Sequence, residues 1–349
     1  MKSSYRQEEV TLLLKDITGL VEPLENEQRE VLIQSGVHYS EMLPREHLPT
    51  PAYRQAFEAA LQRYALPTAR AVERLGDAIL ADKGEEAALV SLARAGTTVG
   101  VLLRRYLRRR YGVQAPHYTI SIIRGRGIDQ NAMKTILSRH PADKVQFVDG
   151  WTGKGAIRRQ LREAMKDFPG VDDRVGVLSD PAFVAGFYGT RSDFLIPSSC
   201  LNSTVSGLIS RTFYRKDLIG PQDYHGAYYY GEFEAEDLTN RYLDTIEAHF
   251  GESFSFVEPA PQSCTPMEEV QSIAETCGIE DINFVKPGIG EATRVLLRRI
   301  PWKILVHSLH DPEYLGHIYQ LAEEKQIPLE VYPLQHYKAC GLIKKLADV

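Results

Sequence analysis

Val145-Gln146-Phe147-Val148-Asp149-Gly150-Trp151-Thr152-Gly153-Lys154-Gly155-Ala156 is the stretch on which the fold turns. Its first half is a short apolar run, the pattern of a buried parallel strand. The run ends in an acid, Asp149. Glycines follow at 150, 153 and 155, and Ala156-Ile157-Arg158-Arg159-Gln160-Leu161 opens a helix. Strand, glycine-rich turn and helix N-terminus together make an anion site. Glycine lets backbone approach a phosphate, and the first helical N–H groups have no internal partner. Thr152 adds a hydroxyl and Lys154 a charge. The stretch also reads as a plain strand-to-helix connection, but acid, hydroxyl and lysine crowded into one loop favour the anion site.

The same rhythm recurs outward from this stretch. Ala87–Leu92 is a strand that runs into Arg94, Ala95, Gly96 and Thr97, and Val99–Tyr106 begins a helix. His117–Ile123 alternates as a strand and ends in Arg124-Gly125-Arg126-Gly127, with Asp129 placed to cap a helix over Gln130–Arg139. Arg174–Leu178 is another strand. Short strands separated by helices predict an α/β fold, a parallel sheet with helices on both faces. Pro51–Leu80 has helical period, with Pro67 expected to split it in two. Glu27–Gly36 is a helix, and Arg104, Arg105, Arg108, Arg109 and Arg110 read as a solvated helix face. Residues 1–50 and 182–235 break the rhythm and read as lid segments, the second closed by a helix over Leu238–Phe250.

Residues 256–266, with prolines at 259, 261 and 266, read as a linker between a first unit (1–255) and a second (267–349). The second has a helix over Met267–Cys277, a strand over Asp281–Val285, a helix over Glu291–Arg299 and a strand over Trp302–His307. A helix from Asp311-Pro312-Glu313, a strand over Pro328–Tyr332 and a helix over Ala339–Leu346 complete it. This is a small α/β/α unit. His307, His310 and Asp311 read as a strand end beside a helix cap rather than a metal cluster, and no metal site is expected.

Composition narrows the function classes. The chain of 349 residues is 43% hydrophobic and 25% charged, with a net charge of −5, which is ordinary for a globular protein and gives no global pull toward nucleic acid or anionic membrane. No apolar run is long enough to span a bilayer, and the N-terminus lacks the apolar core of a secretion signal. The cysteines, at 200, 264, 277 and 340, form neither a CxxC pair nor a zinc-ligand spacing, which points to a reduced, cytoplasmic setting.

The first unit resembles a type I phosphoribosyltransferase. Phe147-Val148-Asp149 followed by Thr152-Gly153-Lys154-Gly155-Ala156 matches that family's ribose-phosphate loop, Leu92-Ala93-Arg94-Ala95-Gly96 its pyrophosphate loop, and Arg124-Gly125-Arg126-Gly127 its mobile catalytic loop. The family usually has two adjacent acids; here Gly150 follows Asp149. The resemblance implies a transferase that moves phosphoribose to or from a base. Asp149, Thr152, Gly153, Lys154, Gly155 and Ala156 would hold ribose and phosphate, and Arg94, Ala95, Gly96 and Thr97 would hold pyrophosphate with Mg²⁺. Arg124 and Arg126 would join Asp149 in catalysis. Phosphoribosyl pyrophosphate or a nucleotide is the implied ligand, and a homodimer is compatible with it.

The whole chain resembles a family found in bacterial tellurium-resistance stress operons, some of whose members are labelled cysteine protease StiP. In that family the transferase-like domain precedes a C-terminal RNA-binding domain of the Pelota and L7Ae type. The RNA motif of that domain corresponds to Gly288, Gly290, Glu291 and Arg294, with Gly290 in place of an asparagine and Arg294 in place of a lysine. Two other readings stand beside the transferase. One is a thiol hydrolase with Cys200 as nucleophile and His225 as base. The other is a non-catalytic nucleotide- and RNA-binding sensor.

Overall fold

The computed structural model describes residues 1–343. The first sheet has six strands, all parallel: β1 (Thr11–Leu12), β2 (Ala88–Leu92), β3 (His117–Ile120), β4 (Val145–Trp151), β5 (Val175–Ser179) and β6 (Phe187–Thr190). They lie in the order β1-β3-β2-β4-β5-β6. Alternate side chains on each strand enter different cores. Leu89, Val148 and Leu178 pack on one face with α2 (Pro51–Lys83), α3 (Ala95–Tyr111) and α6 (Thr239–Ala248). Val90, Phe147 and Val177 pack on the other with α4 (Gln130–Leu137) and α5 (Ala156–Ala164). A further helix, α1 (Asn26–Gln34), lies outside these layers. The strand order reverses at β2, which has β3 on one side and β4 on the other. Such a reversal leaves a crevice at the carboxyl ends of the strands.

Four sequence expectations change here. Pro67 does not split its helix: α2 runs unbroken for 33 residues. An internal proline costs about 3 kcal/mol. Tyr64, Ala65, Ala69, Val72, Leu75 and Ile79 are all buried around it, and their burial outweighs that cost. The segment read as a lid over 182–235 contributes β6 to the sheet. Ala95–Thr97 are not a loop but the first turn of α3. Finally, Arg105 does not face solvent with its neighbours. It is 4% exposed and pairs with Glu9 at 2.6 Å, Asp244 at 2.7 Å and Glu247 at 2.9 Å. Replacing Arg105 by alanine is expected to cost roughly 3 kcal/mol in a denaturant titration, the low end for a broken buried pair, because Asp244 and Glu247 reach solvent. A loss under about 1 kcal/mol would mean that this cluster behaves like a surface pair.

The second domain carries α7 (Pro266–Thr276), β7 (Val285–Pro287), α8 (Ile289–Arg298), β8 (Pro301–Val306), α9 (Pro312–Glu324), β9 (Leu329–Val331) and β10 (Ala339–Ile343). Its sheet has the order β7-β10-β8-β9 and is mixed, β10 running antiparallel to both neighbours. The helix expected from Ala339 is this central strand; residues 344–346 of that expectation lie outside the described residues. Every residue of β10 is buried, and a short apolar run that is buried on all sides carries no periodicity to separate helix from strand. The strand expected from Asp281 starts at Val285, because the Asp281 carboxylate accepts from the Asn283 N–H and shapes a tight turn over Ile282–Phe284. His307 Nε2 lies 2.7 Å from Asp311 Oδ2, and Asp311 Oδ1 accepts from the Tyr314 N–H as a helix cap.

The two domains share one core. Ile289, Ala292, Val295 and Leu296 of α8 are buried in the same cluster as Phe194, Leu195, Ile196 and Leu201 of the first domain. The Asp193 carboxylate sits in that seam and accepts from the Ile289 and Lys338 N–H groups at 3.1 and 2.9 Å. Burial nevertheless pushes its carboxyl up to about 6, against the lowering effect of those hydrogen bonds. A carboxyl raised on folding stabilises the native state while protonated. Its contribution is complete below the unfolded value near 4 and is lost as pH rises through about 6. Melting temperature measured from pH 4 to 7 is therefore expected to fall more steeply in the wild type than in Asp193→Asn, by an amount worth at most roughly 3 kcal/mol. Parallel curves would remove Asp193 as the titrating group. Among the described residues no helix is long and apolar enough to cross a membrane.

Candidate active site

A cavity of about 620 Å³ opens at the crevice between β2 and β4. Ala93, Arg94 and Ala95 follow β2 into it, and Asp149 enters from β4. Pro44–Thr50 forms one wall, Cys200–Thr204 another, and Lys286, Glu291 and Arg294 of the second domain form the roof. A second cavity of about 370 Å³ runs along the Thr152–Arg158 loop and shares Asp149, Ile157, Lys286, Glu291 and Arg294 with the first. The site is thus built by both domains.

Most of the sequence-predicted phosphate groups are brought here, yet several are already engaged. Thr152 Oγ1 donates to Asp180 Oδ1 at 2.6 Å. The Lys154 ammonium donates to the Ile282 carbonyl, and the Gly153 carbonyl accepts from the Tyr337 hydroxyl at 2.8 Å. Gly155 caps α5 with φ 70°, ahead of Ala156. Asp149 accepts from the Gly150 N–H at 2.8 Å, and burial pushes its carboxyl up to about 6.

The expected pyrophosphate loop is closed. Arg94 is drawn into an ion pair with Glu46 at 2.8 Å and donates to the Ile209 carbonyl at 2.8 Å. Gly96 presses on β4 so tightly that a Cβ there would lie 2.5 Å from the Val148 carbonyl oxygen. Its glycine serves helix packing, with Thr97 buried in the same turn. Nor is the Arg124–Gly127 turn loose. Arg124 donates to Asn283 at 3.1 Å and Arg126 pairs with Glu41.

The residues expected to touch RNA face this cavity and the first domain. A Cβ on Gly290 would lie 2.7 Å from the Trp151 ring, which explains why the family's asparagine is absent: only glycine admits the indole. Arg294 stacks 4.3 Å over the same ring, Glu291 lines the cavity, and Gly288 is buried beside Asp193.

Of the four cysteines, Cys200 lines this cavity; Cys264, Cys277 and Cys340 do not. It ends a short 3-10 turn, Pro197–Cys200, on which α8 packs. The thiol is 3% exposed, and burial alone pushes it up to about 12. Roughly one molecule in 100,000 would then be thiolate at pH 7, so a nucleophilic role needs a base. His225 does not supply one. Its Nδ1 meets Ser121 Oγ at 2.8 Å, its N–H donates to Asp129, and its ring lies against Tyr214. The pairing of Cys200 with His225 is therefore corrected.

The histidine on the Cys200 cavity is His47. Its Nε2 lies 3.0 Å from Glu25 Oε2, and the neighbouring Glu46 accepts from the Ser203 N–H at 2.8 Å, tying this segment to the loop after Cys200. In the structure no hydrogen bond joins His47 to the thiol. His47 is not singled out by the sequence within the segment 1–50; its only signal there is an imidazole beside one acid, Glu46, between two prolines. Around Cys200 the side-chain oxygens of Ser199, Asn202, Ser203 and Thr204 are buried without a hydrogen-bond partner among the described residues. Buried polar groups of this kind are satisfied by an ordered water or by another bound polar group.

Comparison with known proteins matches residues 3–247 to the family model described as tellurite-like stress resistance cysteine protease StiP, and residues 264–345 to the PELOTA RNA binding domain. The protein named cysteine protease StiP of Acinetobacter baylyi (strain ATCC 33305 / BD413 / ADP1) is 35% identical over 366 residues, covering 98% of this chain and 94% of that protein. These matches overturn the phosphoribosyltransferase reading: the domain that resembles a transferase falls within a family described by a hydrolytic, thiol-based activity. The transferase resemblance rested on loop order, and three loops at the carboxyl edge of a parallel sheet are a feature of the fold rather than of one reaction. With a cavity at the sheet's reversal point, a cysteine on its wall and a match over most of its length, the chain belongs to the StiP family of stress-resistance cysteine proteases and carries a C-terminal PELOTA RNA-binding domain.

Proposed function

We propose that the chain is a peptide hydrolase with Cys200 as nucleophile, His47 as general base and Glu25 as the carboxylate that orients the imidazole. The observation that carries this reading is that the cavity at the sheet's reversal point holds one of the four cysteines and a histidine already bound to an acid. With a substrate held between the two walls, His47 takes the thiol proton as sulfur approaches the carbonyl carbon; such catalytic contacts are often long before substrate binds. The sulfur–carbon bond forms and the carbonyl oxygen becomes an oxyanion, with the Asn202 side-chain amide, on the same wall as Cys200, as a neutral donor to it. The imidazolium returns its proton to the leaving amine as the carbon–nitrogen bond breaks. Water then attacks the thioester, His47 takes one of its protons, and the thiol is regenerated with release of the carboxylic acid.

RNA is the partner in this reading of the second domain, reached through a face other than the start of α8, which is occupied by Trp151. The experiment that tests the hydrolase reading is covalent trapping. A peptidyl electrophile is incubated with the full chain and the adduct is mapped by mass spectrometry. Modification of Cys200 that depends on His47 supports the reading. Modification confined to Cys264 or Cys277, with Cys200 untouched at all pH values, would overturn it.

A further inference from the structure

The cavity that holds Cys200 has an unbalanced wall. Eight arginine or lysine side chains line it, among them Arg29, Arg211, Lys286 and Lys325, against three acids, Glu46, Asp149 and Glu291. Some of the cations are paired with acids, as Arg94 is with Glu46 and Arg299 with Glu30. Arg29, Arg211, Lys286 and Lys325 form no ion pair among the described residues. Arg29 is 6% exposed, and its Nε, like those of Arg211 and Arg294, is buried without a hydrogen-bond partner among the described residues. The chain as a whole carries a net charge of −5, so this concentration of positive charge is local.

Burial and mutual repulsion act on these groups together. The Arg211 guanidinium is pushed down to about 9 by burial and by Arg29 and Arg94, and Lys154 to about 8 by burial, Lys286 and Arg124. Lys286 is lowered by burial as well. Among the described residues Glu30 acts on Arg29 and Glu291 on Lys286 without forming an ion pair, and Arg211 donates to the Tyr39 and Met42 carbonyls, so a bound anion would supply the close counter-charge these buried cations lack.

We propose that the substrate is an acidic peptide, whose carboxylates are received by Arg29, Arg211, Lys286 and Lys325 while its backbone passes Cys200. This rests on the hydrolase reading and names the substrate class for that same site. Arg29, Arg94 and Arg211 lie close enough to act on one another, and Leu48, Leu201, Val295 and Leu297 share the same lining with them and with Lys286 and Lys325. An extended chain with charged tips and aliphatic stems meets both kinds of surface along its length.

The probe is a ten-residue peptide rich in Asp and Glu, compared with its Asn and Gln isostere, titrated calorimetrically into the full chain carrying Cys200→Ala. The acidic peptide is expected to bind at least about tenfold tighter, with the preference shrinking as salt rises. Lys325→Glu, at an exposed position, and Lys286→Gln, which removes charge with little change of shape, should each reduce the preference without lowering the melting temperature. Equal binding of the two peptides would overturn the proposal. So would tighter binding of an oligoribonucleotide of equal charge that displaces the acidic peptide, since the occupant would then be RNA. If the acidic peptide binds as expected but the wild-type chain hydrolyses no peptide, the hydrolase reading fails while the anion site stands. If the wild type cleaves neutral and acidic peptides alike, the hydrolase reading survives and this one fails.

Discussion

Replacing Cys200 by alanine is expected to abolish peptide hydrolysis, lowering kcat/KM by at least about a thousandfold, because no other group on the cavity wall can form a thioester. The variant should still fold. The thiol is buried but makes no charged contact, and removing one sulfur from a cavity wall costs on the order of 1 kcal/mol, a shift of a few degrees in melting temperature. Cys200→Ser is the sharper comparison, since it keeps shape and polarity while weakening the nucleophile. Cys264→Ser and Cys277→Ser lie off the cavity and should keep full activity. Undiminished hydrolysis by Cys200→Ala would move the reaction to another site altogether.

His47→Gln should lower kcat/KM by roughly a hundred- to ten-thousandfold, the usual worth of a positioned base. Its signature is in the pH profile. With the thiol pushed up to about 12, the variant can react only through spontaneous ionisation, so its rate should climb tenfold for each pH unit across the neutral range. The deficit against wild type should narrow as pH rises. Glu25→Ala removes the carboxylate 3.0 Å from the imidazole and is expected to cost less, about tenfold, because it acts by orientation. A constant deficit at every pH would assign His47 to substrate binding instead of proton transfer.

The roofing of the site by α8 links these results to the second domain. Lys286, Glu291 and Arg294 line the same cavity as Cys200, and the Tyr337 hydroxyl holds the Gly153 carbonyl. Any change that lifts α8 exposes Ile289 and Val295, which are buried at 0% and 2% exposure, so opening carries a hydrophobic cost and is not a loose hinge.

The local pattern of the sequence determined the four inner strands of the first sheet and most of its helices, but not the edge strands β1 and β6. Val145–Trp151 and Val175–Ser179 are apolar runs ended by polar turns, Asp129 and Asp311 are caps, and the glycines at 150, 153 and 155 mark the turn into α5. These are signals carried by a few neighbouring residues, and the chain need not be folded to display them. The order of loops along such a sheet is also legible, but it belongs to the architecture, and it drew the reading toward a transferase. What only the tertiary structure decided is which groups meet. Arg94 turns to Glu46, 48 positions away, and not to a leaving group. Gly290 is a glycine because Trp151 of the other domain lies against it. Cys200 shares a cavity with His47, which lies 153 positions earlier, and not with His225, which is much nearer in sequence but held by Ser121 and Asp129. Long-range pairing depends on how crossover helices and an interdomain seam place distant segments, and no short window of sequence records that.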